Sequence, residues 1–313
     1  MKIRVVTPTH IGSGGVITKL DYIVMNGKVR VIDYYKAWEM DKRIREKIER
    51  GIFDPRECKN YYKYEIDAFC NPRRDIHEHI KVSGKPYIPG SSLKGAIRTA
   101  LIWKYLKDRG MKVKSSDELK KVEAVFNDIM RFLVIRDSES VDFNNLGVYE
   151  IAILSEKGDS LVEKEFKLYV ESLKPNTELE VEIITKDKDA KILKDKNVEI
   201  LKDWENTLLE FSKYVLKIDK EFIERRNDGR FDELIKSLEY IEDKLESGRI
   251  LFRLGFSTGW LWKTVGSLLS RDERIEVAKK LGLSRRFGTD FPKTRRVVVF
   301  KGYKWLPGWL EII

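Results

Sequence analysis

The chain has 313 residues, 42% of them hydrophobic, so it is long enough for two domains of ordinary size with buried cores. The net charge of +10 is typical of a protein with a polyanionic partner, such as nucleic acid or an anionic membrane, or of a merely basic soluble surface. Two cysteines exclude a disulfide framework and an all-cysteine zinc site, and no uncharged apolar run approaches the roughly 18 residues of a membrane span.

The first predicted elements surround a cluster of glycines. Residues 2–6 predict a strand, and Gly12–Gly15 follow it as a predicted loop. Residues 21–33 predict a hairpin, because an Asn-Gly pair supplies the positive φ angles of a two-residue turn. Residues 34–50 predict a polar helix, and residues 75–88 predict a strand pair around Ser-Gly. The N-terminal part is therefore predicted to be rich in strands.

A second glycine segment precedes a predicted helix. Gly90 is followed by Ser91 and Ser92, either of which can cap a helix that runs to about Arg109. Lys94 and Arg98 stand one turn apart on this helix, so both can face the same anion.

The C-terminal part mixes strands with a long charged helical region. A third glycine segment, from Gly255 to Gly259, is predicted to be a loop that precedes Lys263. The other predicted elements are strands at 148–154, 164–184, 250–254 and 295–303, helical segments across 190–247 with a break at 227–229, and a helix at about 261–280.

The order of these elements indicates an α+β fold with two ferredoxin-like (RRM-like) domains. We place the domains at residues 1–145 and 146–313, with a helical insertion at about 190–247 in the second. The segments 87–98 and 252–263 both run from a strand through a glycine- and hydroxyl-rich turn to a lysine on a helix, which is consistent with a diverged duplication.

The three glycine segments favour phosphate binding. Glycine lets backbone N–H groups approach a phosphate closely, and a helix start adds unpaired N–H groups and a positive dipole end. The alternative for each segment is an ordinary tight turn. Spacing argues against nucleotide motifs, because Ala96 stands at the lysine position of a P-loop and Ile17 at the third glycine of a dinucleotide fingerprint.

Few residues suggest catalysis. His10 lies beside the first glycine segment, where a general base would be useful, and His77 and His79 would share one face of a strand. Without a further ligand at a supporting spacing, structural roles for the three histidines are favoured over a metal pair. No cofactor is predicted.

Basic and aromatic residues alternate near the C-terminus. Lys293, Arg295 and Arg296 precede Tyr303 and Trp305, a pattern suited to RNA because cations hold phosphates and flat rings stack on splayed bases. The alternative is a strand whose aromatic residues belong to the core, which Trp305 and the later Trp309 favour.

The charged composition of the chain and the character of its first six residues support two further predictions. Charged residues reach 36% with Lys and Glu in excess, a composition typical of hyperthermophiles. Residues 1–6 alternate charged and apolar side chains and lack the core of a signal peptide, so a cytoplasmic location is predicted.

Taken together, these segments resemble the RAMP superfamily of RNA-binding CRISPR proteins, and within it most resemble the fifth subunit of type III-A (Csm) effector complexes. Four stretches carry the resemblance: Pro8–Gly14, Lys85–Arg98, Arg253–Thr264, and Phe291–Arg296 with Pro307–Trp309. The chain departs from the family pattern at Phe256, where a further glycine is usual.

The resemblance implies a non-catalytic subunit on the 3′ side of the CRISPR RNA that supports RNA maturation and antiviral interference. It implies as partners the CRISPR RNA, the neighbouring RAMP backbone subunit and the small helical subunit, with target RNA as a further candidate. The alternatives are an endoribonuclease that processes precursor CRISPR RNA with His10 as base, and a RAMP subunit serving purely as a protein scaffold. The predicted RNA-binding residues are His10, Gly12, Ser13, Gly14, Ser91, Ser92, Lys94, Arg98, Gly255, Ser257, Thr258, Gly259, Lys263, Lys293, Arg295 and Arg296.

Overall fold

The computed structural model describes residues 1–52, 54–186, 200–283, 290–300 and 302–313. The chain has a mixed α+β architecture, as predicted. The strands of the described residues are β1 (Lys2–Val5), β2 (Gly12–Ile17), β3 (Tyr22–Met25), β4 (Lys28–Ile32), β5 (Tyr62–Ala68), β6 (Ile76–His79), β7 (Lys81–Val82), β8 (Lys85–Pro86), β9 (Leu133–Ile135), β10 (Leu146–Lys157), β11 (Ser160–Glu163), β12 (Leu168–Leu173), β13 (Glu178–Glu180), β14 (Ile183–Thr185), β15 (Leu251–Arg253), β16 (Thr294–Phe300), β17 (Tyr303–Trp305) and β18 (Trp309–Ile312).

The helices of these residues differ widely in length. They are α1 (Tyr34–Met40), α2 (Lys42–Glu49), α3 (Gly90–Asp108), α4 (Ser116–Met130), α5 (Trp204–Glu224), α6 (Asp232–Glu246), α7 (Trp260–Lys263) and α8 (Arg271–Lys280). In the part of the chain that the structure describes, no helix has the length and apolar character needed to cross a lipid bilayer.

A four-stranded antiparallel sheet joins distant parts of the chain in the order β13-β1-β18-β15. Ile3 pairs with Ile312, and Phe252 pairs with Leu310, so one face of this sheet is apolar and buried. Burial of that face stabilises the pairing of strands that lie at opposite ends of the sequence.

A larger sheet has the order β2-β6-β12-β10-β5-β4-β3 among the described residues. Its longest strand, β10, pairs with β12, β16 and β11 in antiparallel fashion and with β5 in parallel. The predicted domain boundary at residues 145 and 146 falls at the start of β10, and both sheets contain strands from each side of it.

The helices α3 and α5 pack together in the main core. The Trp103 ring on α3 lies edge-on to Phe211 on α5 at 5.6 Å between centroids, and Trp262 meets Trp309 at 5.0 Å. The apolar residues Leu93, Ile97, Ala100 and Leu101 lie at helical spacing and form the buried face of α3.

Several predicted elements are confirmed in place. The hairpin turn at Asn26 and Gly27 has φ angles of 51° and 71°, and the Ser83-Gly84 turn joins β7 to β8. The predicted break at 227–229 separates α5 from α6. The part of the predicted helical insertion from residue 190 to 199 lies outside the described residues.

Other predictions at the level of single elements are wrong. The segment Gly12–Gly15 is part of strand β2, because it pairs with β6 across a bulge, and it is not a loop. Neither Ser91 nor Ser92 caps α3, since Pro89 occupies the cap position and both serines lie inside the helix. The predicted helix at 261–280 is broken into α7, a 3₁₀ turn and α8, because Thr264 and Ser270 each begin a new helix.

Candidate functional site

Two of the glycine segments meet at an open cleft of about 370 Å³. We call Gly90–Arg98 the helix module and Gly255–Lys263 the loop module. The predicted residues that line the cleft are Ser92, Arg98, Gly255, Thr258 and Lys263. The lining also contains residues outside the predicted RNA-binding set, namely Gly95, Ala96, Thr99, Arg253, Leu254 and Trp262.

The helix module is tied to neighbouring side chains. The Gly90 N–H donates to Asp137 Oδ1 at 2.8 Å, and a Cβ at Gly90 would overlap the backbone of Ile135. Arg98 pairs with Glu123 at 3.2 Å and also donates to Asn127. The charge of Arg98 is therefore partly neutralised inside the protein.

The loop module has an unusual backbone conformation. Gly255, Ser257 and Gly259 have φ angles of +91°, +73° and +90°, in the left-handed region that favours glycine. A Cβ at Gly255 would overlap the His10 carbonyl oxygen, which accepts a hydrogen bond from the Phe256 N–H at 2.8 Å. The first glycine segment thus reaches this site through the backbone of His10.

The buried guanidinium of Arg253 binds backbone carbonyl groups of the loop module and of an adjacent segment of the chain. It donates to the carbonyl oxygens of Pro307 at 3.0 Å, Thr258 at 3.1 Å and Ser257 at 3.4 Å. Arg253 is fully buried, and burial lowers its pKa to about 10 although Asp219 opposes that shift. The loop conformation therefore depends on a buried cation that binds backbone carbonyls.

Asp219 on α5 balances the buried arginines. Its carboxylate accepts from Arg295 Nε at 2.5 Å and from Trp262 Nε1 at 2.7 Å, and lies 3.6 Å from Arg253. Arg295 is 7% exposed, so its predicted contact with RNA is contradicted: its charge is used in the core.

Two cations near the loop module have no carboxylate partner among the described residues. Burial lowers the pKa of Lys263, and the charges of Arg296 and Arg253 lower it further. Arg296 lies over the Phe256 ring, 4.5 Å from its centroid, and burial lowers its pKa as well. Lys263 and Arg296 therefore form a local excess of positive charge next to the cleft.

The remaining predicted residues lie apart from the cleft lining. Ser13 faces Glu78 at 3.4 Å and accepts a hydrogen bond from the Gly15 N–H within β2, beside Gly12 and Gly14. Lys94 is partly buried, which lowers its pKa, and Lys293 immediately precedes β16. The structure thus brings together about a third of the predicted set.

The histidines His10 and His79 are buried in a hydrogen-bonded network. His10 Nδ1–H donates to the Glu171 carbonyl at 2.6 Å, while His79 accepts from the Ile11 N–H and donates to the Tyr87 carbonyl. Burial lowers the pKa of His10 to about 4 and that of His79 to about 3, so both are neutral near pH 7. No cluster suited to a metal ion occurs within the described ranges.

Sequence reasoning missed Asp219 and Arg253, although one signal was available. Asp219 lies on the apolar stripe of α5, at helical spacing from Val215, Leu216, Phe222 and Ile223. A single carboxylate on such a stripe must find a buried cation, because an unpaired buried charge is very unfavourable.

Comparisons with known proteins agree with this architecture. A sequence profile described as "RAMPs: RAMP superfamily" matches residues 2–261. A protein named "CRISPR system Cms protein Csm5" from Methanocaldococcus jannaschii is 25% identical over 378 residues, covering 100% of this chain and 88% of the relative. A protein of the same name from Streptococcus thermophilus is 27% identical over 234 residues, covering 61% of this chain and 64% of the relative.

Solved structures share the fold. A chain from the cryo-EM structure of a Csm–crRNA–target RNA ternary complex of a type III-A CRISPR-Cas system has a TM-score of 0.75 and 23% identity, with 100% of this chain and 99% of that chain covered. The crystal structure of Csm5 from T. onnurineus has a TM-score of 0.62 and 21% identity, with 99% and 100% covered.

Proposed function

The chain belongs to the RAMP superfamily, and from that premise we propose that it is an RNA-binding subunit of a type III-A Csm effector complex. The observation that carries the proposal is the cleft between the helix and loop modules, with the unneutralised charges of Lys263 and Arg296 beside it. The names of the relatives, and the complex from which one structural neighbour comes, support a place in that assembly.

The cleft suits a sugar–phosphate backbone. One wall is a side of helix α3, where Ser92, Gly95 and Ala96 present small side chains and Arg98 adds a positive charge. On the opposite wall, Thr258 and the glycine backbone leave room for close approach, and Lys263 supplies charge. Phosphate groups would therefore be bound by cations and small residues.

We propose a non-catalytic role at the 3′ side of the CRISPR RNA, with the neighbouring RAMP backbone subunit and the small helical subunit as protein partners and target RNA as a further candidate. The burial of His10 supports the absence of a catalytic role, because a side chain that is 5% exposed is poorly placed to take a proton from RNA. In an assembled complex, His10→Ala should therefore leave any RNA cleavage unchanged. A loss beyond about 100-fold with normal RNA binding would favour the endoribonuclease alternative.

We also propose that residues 1–145 and 146–313 are two ferredoxin-like domains that exchange strands. The four-stranded antiparallel sheet, with α5 and α6 packed near β15, supports a unit of this kind around the C-terminal half. The corresponding positions of the helix module and the loop module support an origin by duplication.

The test of RNA binding is its dependence on salt. For single-stranded RNA, the logarithm of the affinity should fall with the logarithm of the salt concentration, with a slope of about −0.7 for each phosphate contacted. Lys263→Gln should remove about one such contact and so make the slope less steep by about 0.7. Lys236→Gln, an exposed charge on α6, is the matched control and should have no effect. A flat salt response in the wild type would contradict the proposal.

A second experiment addresses assembly. Expression of the chain with candidate Csm subunits, followed by affinity purification and sequencing of bound RNA, should recover CRISPR RNA. Recovery of the protein subunits without RNA would instead favour a scaffold that binds only protein.

A further inference from the structure

The face of the larger sheet that lies opposite the main core carries its own apolar cluster. Tyr149, Ile151, Val170 and Val298 are buried there, apart from the main core. Strand pairing places their neighbours His77, Arg296 and Trp305 on the same face. We call this surface the stacking face and define it by Phe69, His77, Tyr149, Phe256, Arg296, Phe300 and Trp305.

Phe256 connects the stacking face to the cleft. It follows Gly255, which lines the cleft, and its ring contacts the edge of His10 at 5.7 Å and His77 at 5.9 Å between centroids. The Arg296 guanidinium lies over the same ring at 4.5 Å. The position where the family pattern has glycine thus bears an aromatic ring that is already held by neighbouring groups.

Phe69 provides a second ring in a fixed position. It stacks on Tyr149 with 4.6 Å between centroids and 12° between ring planes, and it lies over Gly147, where a Cβ would overlap it. Phe69 nevertheless remains 45% exposed. An ordered ring that stays accessible loses little conformational freedom when another flat group stacks on it.

The charge of this region favours one type of occupant. Arg296 and Lys263 have no carboxylate partner among the described residues, and each raises the local positive potential at the other. An apolar protein surface would not compensate these cations, whereas RNA brings both phosphates and flat bases.

We propose that the stacking face binds unpaired bases of an RNA strand whose phosphates occupy the cleft. This inference rests on the proposed function, since the cleft must bind the backbone of that strand. Rings of Phe69 and Phe256 would contact the bases, and the guanidinium of Arg296 would stack on a base or pair with an adjacent phosphate.

The experiment compares two RNA strands that differ only in their bases. One is a fluorescein-labelled single strand, and the other is the same strand with abasic ribose at every position. Phe69→Leu and Phe256→Leu should each weaken binding of the intact strand about ten-fold and leave binding of the abasic strand unchanged. Tyr35→Leu, which alters a 72% exposed ring on α1, should change neither affinity.

Lys263→Gln separates this inference from the proposed function, because it should weaken binding of both strands equally. If it does so while the leucine variants bind the intact strand like the wild type, base stacking is refuted and backbone binding survives. If Lys263→Gln affects neither strand, the proposed function fails instead. Leucine variants that keep RNA affinity but no longer assemble with partner subunits would identify the face as a protein interface and overturn the inference. If Phe256→Leu does not fold, the exposed Phe69 carries the test alone.

Discussion

The helix module and the loop module use similar residue types in different surroundings. In the helix module, Gly90 is required by close packing against the Ile135 backbone, and Arg98 is paired with Glu123. In the loop module, Gly255 is required both by its positive φ angle and by the His10 carbonyl, and Lys263 has only cations as charged neighbours among the described residues.

This difference shows that a glycine-rich turn followed by a cation does not define a ligand site on its own. A nearby carboxylate converts the cation into a structural residue, whereas its absence leaves charge for an external anion. We therefore expect the loop module to contribute more of the proposed affinity for RNA than the helix module.

The largest effect is expected from removal of the Asp219 carboxylate, which balances the buried arginine that binds the loop module. Asp219→Ala leaves Arg253 and Arg295 buried without their carboxylate, which should reduce the free energy of unfolding by about 3–5 kcal/mol. Urea denaturation measures this loss. The matched control is Glu246→Gln, whose partner is Lys213 in a largely exposed pair, and it should cost less than about 1 kcal/mol. Equal losses in the two variants would contradict the role of Asp219.

Acidification should lower the free energy of unfolding, because His10 and His79 are buried in the neutral form. Unfolded histidine has a pKa near 6.5, and burial lowers the pKa values of His10 and His79 to about 4 and about 3. The unfolded chain therefore binds more protons between these values, and the stabilising contribution present above pH 6.5 is lost as the pH falls. From pH 7 to pH 5 the loss should be about 2–4 kcal/mol, by urea denaturation. His79→Gln should flatten the profile, and an equally steep profile in that variant would rule out this origin.

The two cations can be compared directly by RNA binding. Lys263→Gln should weaken affinity for single-stranded RNA about ten-fold, or about 1.4 kcal/mol, whereas Arg98→Gln should weaken it about two-fold because Glu123 already shares its charge. Fluorescence anisotropy at one fixed salt concentration measures both. A larger loss of RNA affinity in Arg98→Gln than in Lys263→Gln would identify the helix module as the main RNA-binding site.

The smallest effect is expected at Gly95, where one substitution should raise stability and lower RNA affinity. Gly95 lies inside α3 and a Cβ there would meet open space, so Gly95→Ala should stabilise the protein by up to about 1 kcal/mol. Gly95 also lines the cleft, so the added methyl group should obstruct a phosphate backbone and lower RNA affinity. A variant with higher melting temperature and unchanged RNA affinity would place the RNA elsewhere.

Local patterns predicted much of the secondary structure. The Asn26-Gly27 turn and the strand at Leu251–Arg253 follow from short-range rules, since φ preferences and alternation act within a few residues. Strand β2 escaped prediction because its glycines pair with β6, a long-range contact that local propensity does not report.

The glycine-rich motifs located several of the predicted residues at one cleft, whereas burial decided the positions of others. Ser92 and Lys263 were predicted from their loops and line one cleft. Arg295 was predicted from a basic–aromatic run, yet it lies in the core, where it pairs with Asp219. Strand register and the distant partner Asp219, about 76 positions away in sequence, decide that Arg295 rather than Arg296 is buried. Neither can be recognised from a basic–aromatic run.

The pairing of β1 with β18 has a consequence for synthesis of the protein on the ribosome. The loop module is held by the carbonyl of Pro307 and by the Leu254 N–H bond to Gly308, and Gly308 in turn donates to Pro8. These contacts cannot form until residues 307–308 have left the exit tunnel. Until then β1 lacks β18 as a neighbour, and its exposed edge is a target for chaperones or for unwanted pairing. The loop module therefore takes up its final conformation only after residues 307–308 have emerged and β18 has paired with β1.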